Sequence, residues 1–242
     1  MFSKKIYRLK TSRNYLKIIK MYHKIFGEKF KKKIIMPEIY NYQLHRTEII
    51  KRIISKKNIK NYLEIGCDKD EVFSEIEVEN KIGVDPNSGG THRMTSDSFF
   101  LINNKLFDLI FIDGLHAYEQ VKKDIINSLN CLNKNGLILV HDCLPFNYYD
   151  QAIPRAQKKW NGDVWKAITE FRTFDEIDVC VGSFDNGIGL ITNKKNKNKL
   201  TINNQRKKIN YKKLTYKDYF YNFNTFLNLV GEKDFFNKVN DS

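Results

Sequence analysis

FDLIFIDGLHAYEQVKKDIINSLNCLNKNGLILVHD, residues 107–142, decides the fold. Its first seven residues form a nearly continuous apolar run, as expected of a strand covered on both faces. Residues 118–132 then put Val121, Ile125, Leu129 and Leu132 on one helical stripe. Asn135-Gly136 is expected to end that helix, and LILVHD (137–142) returns as a second buried strand. The alternation extends in both directions. TEIIKRIISKK (47–57) predicts a helix with Ile49, Ile50, Ile53 and Ile54 on one face and Thr47 at its cap. NYLEIG (61–66) and KIGVD (81–85) predict strands. Downstream, Asp163 stands where it would cap a helix over 164–172. IDVCVGS and GIGLIT flank Phe184-Asp185-Asn186 as an antiparallel hairpin. The strand–helix alternation predicts an α/β protein with a parallel, doubly wound sheet.

The chain has 242 residues, of which 41% are hydrophobic, enough to build a core and to exclude wholesale disorder. Its formal charge of +14 is uneven: residues 1–33 carry +11, 193–242 carry +8, and the middle is mildly acidic at −5. This suggests three parts: a basic helical arm (1–46), a globular domain (47–192), and a basic linker with a C-terminal helical segment over 215–239. The arm interleaves Tyr15, Ile18, Ile19, Tyr22, Ile25 and Phe26 with lysines. That pattern fits an amphipathic helix packed on the body, and also a contact with nucleic acid or an anionic membrane surface. Cys67, Cys131, Cys143 and Cys180 have no CxxC spacing, so a reducing, cytoplasmic setting is expected. No apolar run is long enough to span a bilayer, and the N-terminus lacks the pattern of a secretory signal.

Candidate site residues gather at predicted strand ends. Glu64-Ile65-Gly66 closes the first strand, and Asp85 closes the second 21 residues after Glu64. In a Rossmann-like unit an acid at that distance accepts from ribose hydroxyls. The turn Gly66-Cys67-Asp68-Lys69-Asp70-Glu71 has one glycine and three acids, which is hostile to a pyrophosphate. A cofactor with a ribose and a cationic centre but no phosphates suits it better, and S-adenosylmethionine (SAM) is such a cofactor. Asp113 ends the next strand, and His141-Asp142 ends the one after, 28 and 29 residues later. Strands joined by one crossover helix are often adjacent, so Asp113, His141 and Asp142 can converge on a hard divalent cation such as Mg²⁺.

The segments LEIGC (63–67), IGVDPN (82–87), MTSDSFF (94–100), FDLIFIDGLHAYEQVKKDI (107–125) and NGLILVHDCLP (135–145) resemble class I SAM-dependent methyltransferases. Within that family they are most similar to small bacterial enzymes associated with surface-polysaccharide biosynthesis. The resemblance implies a Rossmann-like, mostly parallel seven-stranded sheet closed by an antiparallel hairpin, with helices on both faces. It implies that Glu64 and Gly66 line the methionine and ribose part of the pocket, that Asp85 binds the ribose hydroxyls, and that Ser96 and Asp97 lie near the adenine; Cys67, where the family's motif is richer in glycine, and Asp113 complete the expected cofactor-binding set. The spacing is also similar to that of metal-dependent O-methyltransferases. By that likeness Asp113, His141 and Asp142 hold the metal, and His116 takes the substrate proton. His141 stands where that family has a carboxylate, which points to a softer ion such as Mn²⁺.

The chemistry suits these residue types. Methyl transfer from a sulfonium is an in-line displacement, and a hydroxyl becomes a good nucleophile only on losing its proton. A metal lowers the hydroxyl's pKa, and an imidazole can accept the proton near neutral pH. The expected function is SAM-dependent O-methylation of a sugar or glycan-linked small acceptor. Two other readings stay open: an RNA methyltransferase, motivated by the basic ends, and a non-catalytic SAM-fold binding protein.

Overall fold

The computed structural model describes residues 12–201 and 209–241. A seven-stranded sheet organises the chain. Its strands are β1 (Asn61–Ile65), β2 (Asn80–Val84), β3 (Phe107–Ile112), β4 (Leu132–Val140), β5 (Asp178–Gly182), β6 (Ile188–Thr192) and β7 (Leu229–Val230). Their order across the sheet is β2-β1-β3-β4-β6-β5-β7. The first four are parallel, so Ile65, Val84, Ile112 and Val140 finish at one edge. β6 runs antiparallel to both β4 and β5, giving the expected closing hairpin.

The alternation of each strand divides the interior in two. Leu63, Ile65, Ile110, Ile112, Ile138 and Val140 face one core, with Val121 and Ile125 of helix α4 (Tyr118–Asn130) and Trp165 and Ile168 of helix α6 (Val164–Phe171). Tyr62, Leu109, Phe111, Leu137 and Leu139 face the other. There Ile49, Ile50 and Ile53 of helix α2 (Arg46–Lys57) and Phe235 and Val239 of helix α8 (Glu232–Asp241) cover the sheet. Two buried faces explain why these strands read as unbroken apolar runs.

Several local expectations are corrected. Thr47 lies inside α2; His45 holds the N-cap position and makes no side-chain cap hydrogen bond. Helix α4 stops at Asn130, and Asn135-Gly136 falls within β4, whose pairing with β3 shifts register between Phe107 and Leu109. Asp163 holds the expected N-cap position of α6 but makes no side-chain cap hydrogen bond there: its Oδ1 accepts from the Tyr118 backbone N–H at 2.7 Å and so satisfies the first turn of α4. The expected C-terminal helical segment is two helices, α7 (Tyr216–Leu227) and α8. Asn228, in the left-handed region at φ 49°, separates them and lets β7 join the sheet beside β5. The C-terminal segment also shares the body's core, where Tyr219 and Phe226 pack on the fully buried Trp165. The arm's described helix is α1 (Arg13–Ile25); its expected positions before residue 12 lie outside the described residues. The remaining helices are α3 (Ser96–Ile102) and the short α5 (Tyr148–Gln151).

Candidate active site

Gly66 joins the two halves of the strand-end edge. It leaves β1 at φ +92°, and a Cβ there would collide with the backbone of Asp113 and Gly114. Only glycine allows the β1 turn to lie against the end of β3 this closely.

On one side, carboxylates organise loops. Asp85, buried, accepts from the backbone N–H groups of Asn87 (2.7 Å) and Ser88 (2.9 Å) at Oδ1, and from that of Asp68 (3.1 Å) at Oδ2. Asp70 Oδ1 accepts from the Gly90 N–H at 2.6 Å, tying the β1 and β2 loops together a second time. Glu64 is buried in the β1 end, where the Tyr62 hydroxyl donates to its Oε2 at 2.6 Å. Burial outweighs that hydrogen bond and pushes its carboxyl up to about 7. Cys67 turns its thiol into the core against Gly83 and Gly90, and burial pushes its pKa up. Its side chain is therefore a packing group, and what remains for a ligand is its backbone. Ser96 and Asp97 meet Gln120 of α4, whose Nε2 lies 3.2 Å from Ser96 Oγ and 2.9 Å from Asp97 Oδ1. The structure brings them together with Gln120 and the buried Asp124, in a cluster of their own between α3 and α4.

On the other side, carboxylates meet imidazoles. Asp113 Oδ1 lies 3.1 Å from His141 Nδ1 and 3.4 Å from His116 Nε2. Asp142 Oδ2 lies 3.1 Å from His116 Nδ1 and 3.6 Å from His141 Nδ1. Asp142 adopts φ +61°, a region that costs an ordinary side chain roughly 1–2 kcal/mol. Asn161 holds that turn by donating to Asp142 Oδ1 at 3.0 Å. Backbone strain of this kind concentrates at functional sites.

Each histidine has one nitrogen committed to a carbonyl. His116 Nδ1 is 3.0 Å from the Trp160 carbonyl oxygen, and the indole of Trp160 stacks on the imidazole with centroids 5.3 Å apart. A carbonyl only accepts, so Nδ1 carries the hydrogen, and Nε2, facing Asp113 Oδ1, is the nitrogen at which a proton is gained or lost. His141 Nε2 is 2.9 Å from the Asp185 carbonyl oxygen, which fixes its hydrogen in the same way. Its Nδ1 lone pair then faces two carboxylate oxygens. That arrangement requires either a second proton on His141 or a cation among the three groups. Ligand atoms of Asp113, His141 and Asp142 all lie within 4.8 Å of one another. This donor set therefore fits a divalent ion, with the Asp185 carbonyl as the outer partner that a metal-bound histidine ordinarily has.

Charge runs through the whole cluster. Burial alone would raise Asp113, but the His141 charge and the hydrogen bonds from His116 and His141 hold it well below the usual carboxylate range. For Asp142 burial prevails and its pKa moves up. Burial lowers both histidines; the charges of Asp113 and Asp142, with hydrogen bonding, outweigh it and raise both, His141 furthest. Sequence reasoning missed two partners here. Arg46 Nε stands 3.6 Å from Asp113 Oδ2, and its backbone N–H donates to Asp185 Oδ2 at 2.7 Å. Asp185, in the β5–β6 turn, is held down to about 2: burial raises it, but the His141 hydrogen bond and charge and the Arg46 contacts lower it. The only signal in the sequence was a charged residue in a hairpin turn that looked like turn chemistry.

Residues 63–143, from β1 to just past the end of β4, match the family model of a methyltransferase domain. No curated protein sequence matches the chain. Among solved structures, an SAH-bound methyltransferase from Podospora anserina is 15% identical with a TM-score of 0.48, covering 79% of this chain and 94% of that one. An O-methyltransferase from Bacillus cereus in complex with SAH is 11% identical with a TM-score of 0.45, covering 78% and 96%. The tomaymycin-synthesis O-methyltransferase of Streptomyces achromogenes, in complex with SAM, is 10% identical with a TM-score of 0.45, covering 79% and 96%. The matched stretch carries β1 to β4 of the mixed sheet together with Glu64, Asp85, Asp113, His116, His141 and Asp142.

Proposed function

We propose that this enzyme methylates a hydroxyl of a small acceptor, a sugar or glycan-linked group, with SAM held at the β1 and β2 ends and the acceptor oxygen activated by His116. The observation that carries the reading is the commitment of His116 Nδ1 to the Trp160 carbonyl, which makes Nε2, beside Asp113, the nitrogen that takes up a proton when the imidazole is neutral. A proton taken from the acceptor makes an imidazolium, and Asp113 and Asp142 stabilise that charge. Gly66, which brings the β1 turn against Asp113, supports a methyl donor and an acceptor lying side by side.

On the cofactor side, one lone pair of Asp85 Oδ2 remains beyond its backbone partners to accept from ribose hydroxyls. Glu64 offers a carboxyl to the methionine ammonium, the Cys67 backbone borders it, and Ser96 with Asp97 stands toward the adenine. Asp113, His141 and Asp142 would hold Mg²⁺ or Mn²⁺, which when bound makes a coordinated hydroxyl more acidic. A reducing, cytoplasmic setting agrees with four free, buried thiols. Methyl transfer from labelled SAM to a panel of hydroxylated sugars and glycolipids, with and without EDTA, tests the reading. Labelled acceptor is expected, reduced by chelation and restored by Mg²⁺ or Mn²⁺. Labelled RNA without labelled sugar would replace the acceptor class, and full activity in EDTA with no metal on elemental analysis would remove the ion.

A further inference from the structure

Helix α1 has three distinct faces. Leu16, Ile19 and His23 hold it to the body, with His23 Nε2 2.8 Å from the Pro154 carbonyl and Nδ1 3.0 Å from the Tyr148 hydroxyl. A second face carries Ile18, Met21, Tyr22 and Ile25, continued by Phe26, at helical spacings of three and four residues. These side chains are 61%, 59%, 47%, 64% and 72% exposed. Arg13, Lys17, Lys20 and Lys24 form the third face, on the far side of the helix's apolar stripe from Phe26, and the helix contains no acid. Lone exposed apolar residues are ordinary; five on consecutive turns of one helix, beside a row of cations, are not.

We propose that α1 is an interfacial anchor that lays its Ile18–Phe26 stripe into an anionic lipid surface. Aliphatic side chains enter the boundary between headgroups and acyl chains, and the adjoining basic row meets lipid phosphates; this is the charge and shape of a helix lying in the membrane plane. RNA would use the cations but leave Ile18, Met21 and Ile25 without a partner. A second copy of the chain would cover the stripe but bring two basic rows together with no acid on either helix to offset them. No helix among the described residues is long and apolar enough to cross a membrane.

The test is co-sedimentation of the full chain with vesicles of phosphatidylcholine alone or mixed with phosphatidylglycerol. It uses neither SAM nor acceptor, so its outcome is independent of the proposed chemistry. Binding to the anionic vesicles and not the neutral ones is expected, with loss in raised salt. The double change Ile18→Ser with Ile25→Ser should weaken binding about tenfold or more, since it removes most of the inserted aliphatic surface. Lys17→Gln with Lys24→Gln should weaken it by about tenfold, with the apolar face untouched. All four side chains are exposed, and unchanged thermal melts would show that the variants fold. No anionic-vesicle binding would overturn the proposal. So would retention on RNA alone, or a concentration-dependent dimer abolished by the serine variant.

Discussion

The two halves of the strand-end edge use the same residue type for opposite purposes. At the ends of β1 and β2, Asp70 and Asp85 direct their oxygens at backbone N–H groups and shape two loops. At the ends of β3 and β4, Asp113 and Asp142 direct theirs at His116 and His141. A carboxylate bonded to amides is a fixed acceptor whose role is shape. A carboxylate facing an imidazole shares protons with it. The proposed function assigns binding to the first edge and reaction to the second, and each prediction below tests that division.

The largest effect is expected at His116. His116→Ala should lower turnover by roughly 10²–10⁴-fold, the usual size of general-base catalysis. The base works only when neutral, and Asp113 and Asp142 raise its pKa above the ordinary 6.5. Turnover of the wild type should therefore rise with pH along a limb centred above that value. A pH–rate profile measures this, and an acid limb that persists in an active His116→Ala variant would assign the proton elsewhere.

Asp185 comes next. It touches no expected substrate position but holds His141 Nε2 through its carbonyl and Arg46 through its carboxylate. Asp185→Asn keeps the carbonyl and removes the charge, and should cost about 10–100-fold in turnover, the size of outer-partner effects at metal and histidine sites. SAM affinity should stay unchanged. An equal loss of SAM affinity would show that the two edges are not separate.

A smaller effect is expected from Glu64. Its carboxyl sits at about 7 in the folded chain against an ordinary 4.5. Between those values the folded state keeps a proton that the unfolded chain has lost, so this group's contribution to stability falls as pH rises through that window. Binding of a cationic methionine group favours the ionised form and so releases a proton. SAM affinity should rise with pH between about 6 and 8, by less than tenfold per unit. Glu64→Gln should flatten that dependence in a titration and raise the melting temperature above neutral pH.

The legibility of the two edges also differs. Glu64, Gly66 and Asp85 were readable because strand length and loop spacing put them at successive strand ends. Asp113, His141 and Asp142 were readable for the same reason. Arg46 and Asp185 were not: they are 139 residues apart, and only the docking of the β5–β6 turn against the start of α2 joins them. Periodicity encodes which face a residue occupies, not which loop will fold over it. The Trp160 carbonyl, which fixes the His116 tautomer, has no signature in side-chain pattern at all. Asn135-Gly136 misled because a turn dipeptide is tolerated where β4 begins outside the core, and the burial of β4 starts only at Gly136 and Leu137.

The most direct measurement is calorimetric titration of SAM into the wild type, Asp85→Ala and His116→Ala. Asp85→Ala removes the acceptor of three backbone N–H groups and the proposed acceptor of the ribose hydroxyls, and should weaken SAM by about 1–3 kcal/mol, roughly 5–150-fold. His116→Ala should bind SAM as the wild type does while losing turnover. Tight NAD binding without SAM binding, or equal losses of SAM affinity in both variants, would contradict the division of the site into a binding edge and a reacting edge.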